Sequence, residues 1–218
     1  EMHDSTEEYL ETILEIEEEG IPPLRARLVE RLGFSAASVS EQVGRLELAG
    51  YVELQADKQI RLTDKGRTLA TTMVRRHRLA ERLLTDVIGL EWEKVHREAA
   101  LWEHVISDDV EEKLLVLLGD PATCPHGNPI PGSKNSQAST PTKPLSEIGT
   151  AKFTVARISE KLELNYEGLQ LVSRAKLTPG SSGVVSGSST DALVVQTASG
   201  EHRIPRSVAS LTHVTVGT

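Results

Sequence analysis

The sequence of 218 residues contains one cysteine, Cys124, so an intrachain disulfide cannot form. Aromatic residues make up only 3% of the chain. No apolar run approaches the roughly 20 residues that a membrane-spanning helix needs, so we expect no membrane partner. Residues 1–4 show neither the basic nor the apolar region of a secretion signal. These absences predict a cytoplasmic protein without disulfide bonds.

The charge of the chain is unevenly distributed. The formal net charge is -8, yet residues 1–21 hold nine acids and no Lys or Arg, whereas residues 22–80 hold eleven Lys or Arg against six Asp or Glu. Because binding to phosphates depends on the local field, the negative total does not exclude a nucleic-acid partner. Charge alone does not exclude the alternative of an ordinary solvated surface.

The composition divides the chain into three regions. Residues 5–119 have helical periodicity with one short hairpin. Residues 120–148 are rich in Pro, Gly, Ser and Thr, which predicts a linker that is partly flexible. Residues 149–218 show short alternating segments with Gly and Ser turns, which predict a small β-barrel.

The first region has the pattern of a winged helix-turn-helix. A helix over 24–32 ends at Gly33, and Ser35 is placed to cap a helix over 36–49. Two strands around a polar turn at 55–58 then form the wing. Further helices over 64–88, over 91–106 and from a cap at Ser107 to Gly119 predict a second core or a dimer interface, and a dimer suits palindromic DNA.

The predicted recognition helix begins with small side chains that can approach the major groove closely. Glu41 is unusual there, because phosphates repel it, although a cytosine amine can donate to it. The alternative is a helical hairpin that only packs into the core. The candidate DNA-binding residues are Arg25, Arg27, Ser35, Ala37, Ser38, Ser40, Glu41, Arg45 and Lys58.

Histidines and carboxylates recur at helical spacing. His77 and Glu81 are four residues apart, His96 and Glu103 are seven apart, and His104 follows. Glu8 and Glu11 lie three apart on the first helix. Imidazole and carboxylate donors suit Mn²⁺, Fe²⁺, Co²⁺ or Zn²⁺. The alternative is that these histidines are structural or surface residues.

The sequence has no His-Glu-x-x-His motif, no Gly-rich phosphate loop and no nucleophile elbow, so we expect no enzyme. A metallohydrolase that uses His77, His96 and His104 is the alternative from another class. A peptide-binding scaffold is a third reading, but residues 149–218 hold only Phe153 and Tyr166 as aromatic side chains for a groove.

Three stretches together resemble the diphtheria toxin repressor family, which includes iron-dependent and manganese-dependent regulators. They are PLRARLVERLGFSAASVSEQVGRLELAGYV, GRTLATTMVRRHRLAERLLTDVIGLEWEKVHREAALWEHVISDDVE and CPHGNPIPG. The resemblance is dense through Gly132 and weaker afterwards. It implies a mainly α fold with four parts: a winged helix-turn-helix (1–63), a helical dimerisation and metal-binding domain (64–120), a linker (121–148), and an SH3-like, FeoA-like domain (149–218).

The resemblance also implies two metal ions per protomer. His77, Glu81 and His96 match an ancillary site, and Glu103 and His104 match a primary site. Where iron regulators have a methionine and a cysteine, this chain has Glu8 and Ala100. Glu11 matches a carboxylate ligand of the manganese regulators, and Ala100 offers only its backbone carbonyl.

The β-domain of relatives donates two ligands to the ancillary site, and an ungapped alignment puts Asn165 and Gly168 there. Asn165 is therefore a candidate ligand, with Glu163 or Glu167 as substitutes after a small register shift. The alternative is that Glu160, Glu163 and Glu167 are acids of the solvated surface. Cys124 and His126 belong to the motif CPHGNPIPG, and we interpret them as structural.

The implied function is a metal-dependent, DNA-binding homodimer that represses metal-uptake genes, with one or two dimers on a palindromic operator. A thioether and a thiol are replaced by a carboxylate, and hard oxygen ligands favour Mn²⁺. We therefore predict a manganese-dependent regulator, with an Fe²⁺-dependent regulator of iron uptake as the alternative.

Overall fold

The computed structural model describes residues 5–135 and 140–217. Residues 1–4, which were searched for a signal, and residues 136–139 of the predicted linker lie outside the described residues. The chain divides into two compact units between Arg76 and His77. Within the described residues, no helix combines the length and the apolarity that crossing a bilayer requires.

The first unit contains the helix-turn-helix and its wing. Ser35 accepts a hydrogen bond from the backbone N–H of Ser38 at 3.1 Å, which confirms the predicted cap. Gly33 ends the preceding helix with a φ of 73°. The elements are α1 (Ser5–Glu18), α2 (Arg25–Leu32), α3 (Ala36–Leu48), β1 (Val52–Leu54), β2 (Ile60–Leu62) and the start of α4 (Asp64–Arg82).

The core of the first unit collects the apolar face of each helix. Leu10 and Ile13 of α1, Leu28 of α2 and Val39 and Val43 of α3 are fully buried together. Because the apolar residues of α3 recur at spacings of three and four, they form one stripe that packs into this core. The stripe therefore sets which face of α3 is buried and which is exposed. The opposite face of α3 stays exposed and faces solvent with small and polar side chains.

The second unit begins with helices around their own core, which includes Leu79, Leu84, Val95, Ala99 and Ile130. Two predicted helices are shorter than expected. The α-helix expected over 64–88 ends at Arg82 and continues as a π-helix, and the helix expected over 91–106 is interrupted at both ends. The elements are the π-helix Leu83–Ile88, the 3₁₀ helix Trp92–Lys94, α5 (Val95–Trp102) and α6 (Asp108–Leu117).

The rest of the second unit is a six-stranded antiparallel sheet with short helices. The strand order is β3-β8-β4-β5-β6-β7. Its elements are β3 (Lys143–Pro144), the 3₁₀ helix Leu145–Glu147, β4 (Lys152–Ile158), α7 (Glu160–Glu163), α8 (Tyr166–Arg174), β5 (Ser182–Ser188), β6 (Ala192–Thr197), β7 (Gly200–Pro205), α9 (Arg206–Ala209) and β8 (Thr212–Val216).

The predicted fold class is confirmed, with a winged helix-turn-helix, further helices and a small C-terminal β-domain. Helices α7 and α8 interrupt the β-region between β4 and β5 and are not among the elements predicted from the sequence. Leu169 and Val172 are three residues apart on α8 and both are buried. That helical spacing was available in the sequence, but the surrounding strand pattern hid it.

Gly66 supplies a test of how α4 packs in the first unit. A Cβ at this position would lie 2.0 Å from the carbonyl oxygen of Tyr51. We expect Gly66→Ala to lower the free energy of unfolding by about 1–3 kcal/mol, because the backbone of Tyr51 must shift. Gly44→Ala is the matched control, since a Cβ there meets no atom within 4 Å and alanine favours a helix. Equal midpoints of chemical denaturation for the two variants would contradict this packing.

Candidate metal centre

Helix α4 brings His77 and Glu81 onto one buried face of the second unit. Their side chains are four residues apart, so they lie one turn from each other. His77 is 3% exposed and Glu81 is fully buried. The distance from His77 Nε2 to Glu81 Oε1 is 3.3 Å. A carboxylate and an imidazole buried in contact form the first part of a ligand set.

His96, from the first turn of α5, joins this pair. Its Nδ1 lies 3.0 Å from His77 Nε2 and 3.4 Å from Glu81 Oε1. One donor atom from each of the three residues falls within 4.8 Å of the others. The structure therefore brings together the three residues that the sequence predicts for the ancillary site.

Residues 121–130, which we call the proline loop, add Cys124 and His126 to the cluster. Both are buried, and each has a donor atom within 4.8 Å of a Glu81 oxygen. The composition of this segment predicts a linker, but most of its side chains are buried or partly buried. Its carbonyl groups accept hydrogen bonds from two arginines of α4, with Arg78 bonding Pro129 at 2.5 Å and Arg82 bonding Thr123 at 2.7 Å.

The proline loop also packs against β4. At Gly127 the φ is +90°, and a Cβ there would lie 2.3 Å from the carbonyl oxygen of Ala156. The amide of Ile158 donates to the carbonyl of His126 at 2.8 Å. The indole N–H of Trp92 donates to the carbonyl of Pro125 at 3.0 Å. These contacts fix the imidazole of His126 at one position.

The short helix α7 contributes two further carboxylates. Glu160 and Glu163 are both 4% exposed, and an oxygen of each lies near a nitrogen of His96. Glu163 Oε1 accepts a hydrogen bond from Asn128 at 2.8 Å. Glu160 Oε1 accepts one from Arg78 at 2.9 Å. The β-domain therefore reaches the histidine cluster through α7.

Asn165, the ligand suggested by the ungapped alignment, has a different position. Its side chain caps α8 by accepting a hydrogen bond from the N–H of Gly168 at 3.0 Å. Glu167 is exposed. Of the three surface acids weighed in the alignment, Glu160 and Glu163 are buried in the cluster. Glu160 and Glu163 correspond to the aligned positions Asn165 and Gly168 only if the alignment is shifted by several residues. The spacing of residues in the sequence did not reveal this shift.

Glu103 and His104 lie just beyond the end of α5. Glu103 is 4% exposed, and its Oε2 lies 2.5 Å from Nδ1 of His77. Its other oxygen is 3.3 Å from Nε2 of His104. Ala100 is on α5 and is partly exposed. In the first unit, Glu8 and Glu11 lie in the N-terminal part of α1, and Glu11 is 7% exposed.

Burial and charge act in opposite directions on the imidazoles. Burial disfavours imidazolium, but Glu103 and Glu81 outweigh it and hold the pKa of His77 well above its usual value. At His96, burial is outweighed by Glu163 and Glu81, and the pKa rises to about 9. At His126, Glu163 and Glu81 again outweigh burial and hold the pKa well above normal. Without metal, the protonated imidazoles therefore compensate the negative charge of the buried carboxylates.

The acids and the thiol show the complementary pattern. Burial alone would raise the pKa of Glu81, but His126, His77 and His96 hold it well below its usual value. Burial and the charge of Glu81 raise the pKa of the Cys124 thiol to about 12. Burial and the charge of Glu163 raise the pKa of Glu160 to about 7. A divalent cation would replace the protons of Cys124 and Glu160, whereas Glu81 is already ionised.

The donor set fits such a cation. Among the described residues, the buried atoms of the cluster without a hydrogen-bond partner include Oε2 of Glu81 and Nε2 of His126. Buried polar atoms are rarely left unpaired, and a buried carboxylate and imidazole without partners are typical metal donors. Nitrogen and oxygen donors suit first-row divalent metals.

The predicted DNA-binding residues lie on the exposed side of the first unit. Ser35 lies at the start of α3, and Ala37, Ser38 and Ser40 are exposed along its first turns. Two ion pairs occupy this region: Arg45 contacts Glu41 at 2.5 Å, and Arg27 contacts Glu30 at 2.9 Å. Lys58 is exposed in the wing turn with a φ of 68°, whereas Arg25 is partly buried on α2.

Sequence comparison identifies the family. Residues 1–60 match the profile described as iron dependent repressor, N-terminal DNA binding domain, and residues 63–132 match its metal binding and dimerisation domain. The diphtheria toxin repressor of Corynebacterium diphtheriae is 45% identical over 186 residues, covering 82% of each chain. The chain belongs to the iron-dependent repressor family.

Other family members match parts or the whole of the chain. The iron-dependent repressor IdeR of Mycobacterium tuberculosis is 56% identical over 132 residues, which are 61% of this chain and only 57% of that relative. A solved manganese-dependent transcriptional repressor in complex with manganese has a TM-score of 0.83 at 30% identity, covering 97% of this chain and 100% of the other. T. acidophilum IdeR has a TM-score of 0.76 at 26% identity, covering 97% of both.

The raised pKa of His96 in this family member predicts proton release on metal binding. A ligating imidazole must be neutral, so the proton held below about pH 9 has to leave. Affinity for Mn²⁺ should therefore rise as the pH increases from 7 towards 9. Calorimetric titration in non-coordinating buffers with different ionisation enthalpies measures the released protons.

The matched variants for this titration are His96→Gln and His202→Gln, since His202 lies on β7 and hydrogen-bonds with Ser199. The first should release fewer protons than the wild type, and the second an equal number. An unchanged count in His96→Gln would contradict the role of His96.

Proposed function

We propose that this chain is a divalent-metal-dependent transcriptional regulator, mainly a repressor of metal-uptake genes. The observation that carries the proposal is the buried set of three imidazoles and three carboxylates, in a chain that also exposes a helix-turn-helix. The two profiles that match the chain describe the same pair of activities, DNA binding and metal binding.

The exposed face of α3 supports binding to double-stranded DNA. Its first turns carry Ala36, Ala37 and Ser38, whose small side chains allow the helix backbone to approach base edges in a major groove. The wing turn adds the cation of Lys58, which suits a phosphate contact. The partner pair Glu41 and Arg45 is oriented outward on the same helix and is placed to influence base preference.

Exposed apolar side chains on the helices of the second unit support a homodimer. Val105 and Val116 are each 80% exposed, and Leu101, Val110 and Leu117 are also exposed. Large apolar side chains exposed in such number over residues 101–117 are typical of a surface that another protein covers. A two-fold dimer would present two recognition helices to successive turns of a palindromic operator, with one or two dimers bound.

Two groups of ligands are assigned in this proposal. The ancillary group is His77, Glu81 and His96, extended by Glu160 and Glu163 in place of Asn165. The primary group rests on the sequence resemblance and consists of Glu8, Glu11, Glu103, His104 and the Ala100 carbonyl. When bound, the cation supplies positive charge that offsets repulsion between carboxylates. Metal binding then shifts the population towards the DNA-binding form of the dimer.

Hard ligands at the primary group support Mn²⁺ rather than Fe²⁺. Glu8 and Ala100 stand where iron regulators carry sulfur, so the softer donors are missing from this chain. Carboxylate oxygens are the preferred ligands of Mn²⁺. An Fe²⁺-dependent regulator of iron uptake is the second candidate, because the iron-dependent repressor IdeR is 56% identical over its matched part, whereas the manganese-dependent repressor of known structure is 30% identical.

Removing one primary ligand should abolish the metal response. We expect Glu8→Ala and His104→Ala to lose at least about tenfold in Mn²⁺-stimulated operator affinity, equivalent to about 1.4 kcal/mol, with the dimer retained. Fluorescence anisotropy on an operator selected from a random pool measures the affinity, and gel filtration measures the dimer. Glu18→Ala and His202→Ala should respond like the wild type. A full Mn²⁺ response in both ligand variants would reject the assignment.

Restoring sulfur should change the preferred metal. We expect Ala100→Cys to raise affinity for Fe²⁺ or Co²⁺ relative to Mn²⁺ by about tenfold, because a thiolate is a softer donor than a carbonyl. Anaerobic titration with each metal gives the ratio. Ala100→Ser is the control of similar size without sulfur, and its ratio should stay near that of the wild type. If Ala100→Cys and Ala100→Ser give the same ratio of affinity for Fe²⁺ or Co²⁺ to affinity for Mn²⁺, the explanation from ligand softness is wrong.

A further inference from the structure

The buried cluster in the second unit contains more donor side chains than one divalent ion uses. Seven side chains contribute, while first-row divalent ions take about four to six ligand atoms. They come from α4, α5, the proline loop and α7, and all but His96 are less than 5% exposed. The seven are His77, Glu81, His96, Cys124, His126, Glu160 and Glu163.

These donors form separate groups around shared residues. His77, Glu81 and His96 form one group within 4.8 Å, and Glu81, Cys124 and His126 form another. The two groups have only Glu81 in common. A third group combines His96 with Glu160 and Glu163. The donor atoms are therefore arranged around more than one point.

Two carboxylates lie between the histidines of the two sides. Glu81 Oε1 is 3.4 Å from Nδ1 of His96 and 3.1 Å from Nδ1 of His126. Glu163 Oε2 is 3.2 Å from the same atom of His96 and 2.9 Å from that of His126. Each carboxylate thus contacts an imidazole on both sides, so each is within reach of both groups of donors.

The proline loop carries an imidazole nitrogen that has no hydrogen-bond partner. Among the described residues, the buried atoms without such a partner include Nε2 of His126 and Oε2 of Glu81, two residues of the group that contains Cys124. On the other side, Glu160 is paired with Arg78 and the nitrogens of His77 contact Glu103 and His96. An ion confined to the His77 side would leave the donors of the proline loop unused.

We propose that this cluster is a carboxylate-bridged centre for two divalent ions. His77 and His96, with Glu160, hold one ion, and Cys124 and His126 hold the other. Glu81 and Glu163 bridge the two. This inference rests on the proposed metal-dependent function for the presence of an ion at His77, and it adds the second ion.

The two positions differ in chemistry. Imidazole and carboxylate at the His77 position favour Mn²⁺ or Fe²⁺. A thiolate and an imidazole at the proline loop favour Zn²⁺ or Co²⁺. The Cys124 thiolate forms when the cation displaces its proton to solvent, as in other thiolate sites. The centre is therefore expected to discriminate between metals at its two positions.

Co²⁺ binding to the full-length protein tests this proposal. Ligation by Cys124 should give a near-ultraviolet charge-transfer band between sulfur and cobalt, which Cys124→Ser abolishes. Metal analysis after dialysis should show a loss of about one ion per chain in Cys124→Ser and in His126→Gln. His77→Gln should also lose about one ion but should keep the sulfur band.

Persistence of the sulfur band in His77→Gln separates two ions from one. If a single ion used all seven donors, His77→Gln and Cys124→Ser would act on the same ion, and the sulfur band would weaken in His77→Gln. That result, or the absence of any sulfur band, would overturn the proposal. His202→Gln is the control for loss of an imidazole and should keep both the band and the ion count.

The Mn²⁺-loaded protein gives an independent readout. Two bridged Mn²⁺ ions should couple magnetically, so the electron paramagnetic resonance spectrum should show a coupled signal beside the six-line pattern of the ion in the primary group, and His126→Gln should remove the coupled signal. A spectrum of isolated ions alone in the fully loaded wild type would count against the bridge. Operator binding is measured separately, so a failure of the two-ion centre is distinguishable from a failure of metal-dependent regulation.

Discussion

The second unit depends on a buried guanidinium. Arg78 is 1% exposed, and it donates both to Glu160 of α7 and to the carbonyl of Pro129 in the proline loop. It therefore joins α4 to the two segments that carry the remaining donors. Loss of one partner from a buried ion pair costs roughly 3–5 kcal/mol, because the other charge is left uncompensated. This arginine therefore stabilises the packing that brings α7 and the proline loop to the histidine cluster.

The sequence predicts well what local chemistry decides. The structure contains three such features: Ser35 caps a helix, Gly33 ends one, and Val39 and Val43 are buried at helical spacing. His77 and Glu81 come together because helical geometry alone places them one turn apart. The pairing with His96 follows from packing of adjacent helices, and the family resemblance indicated it before the structure did.

Contacts between distant segments explain what the sequence did not predict. Glu160 and Glu163 reach the cluster because the proline loop packs on β4, and neither packing nor a shift in alignment register is visible in spacing. Pro and Gly in that loop resemble a linker, although Gly127 is required by a close backbone approach. Asn165 has a side chain that suits a ligand, but the start of α8 uses it as a cap.

Placing Glu163 on the same polypeptide as the histidines changes the thermodynamics of ligation. A carboxylate that is already part of the folded unit binds with a high effective concentration, because no further translational freedom is lost when it joins the cation. Asn128 reinforces this by orienting the carboxylate through its amide hydrogen bond. Ligands that are individually weak can therefore form a tight chelate, provided that the β-domain remains folded against the helices.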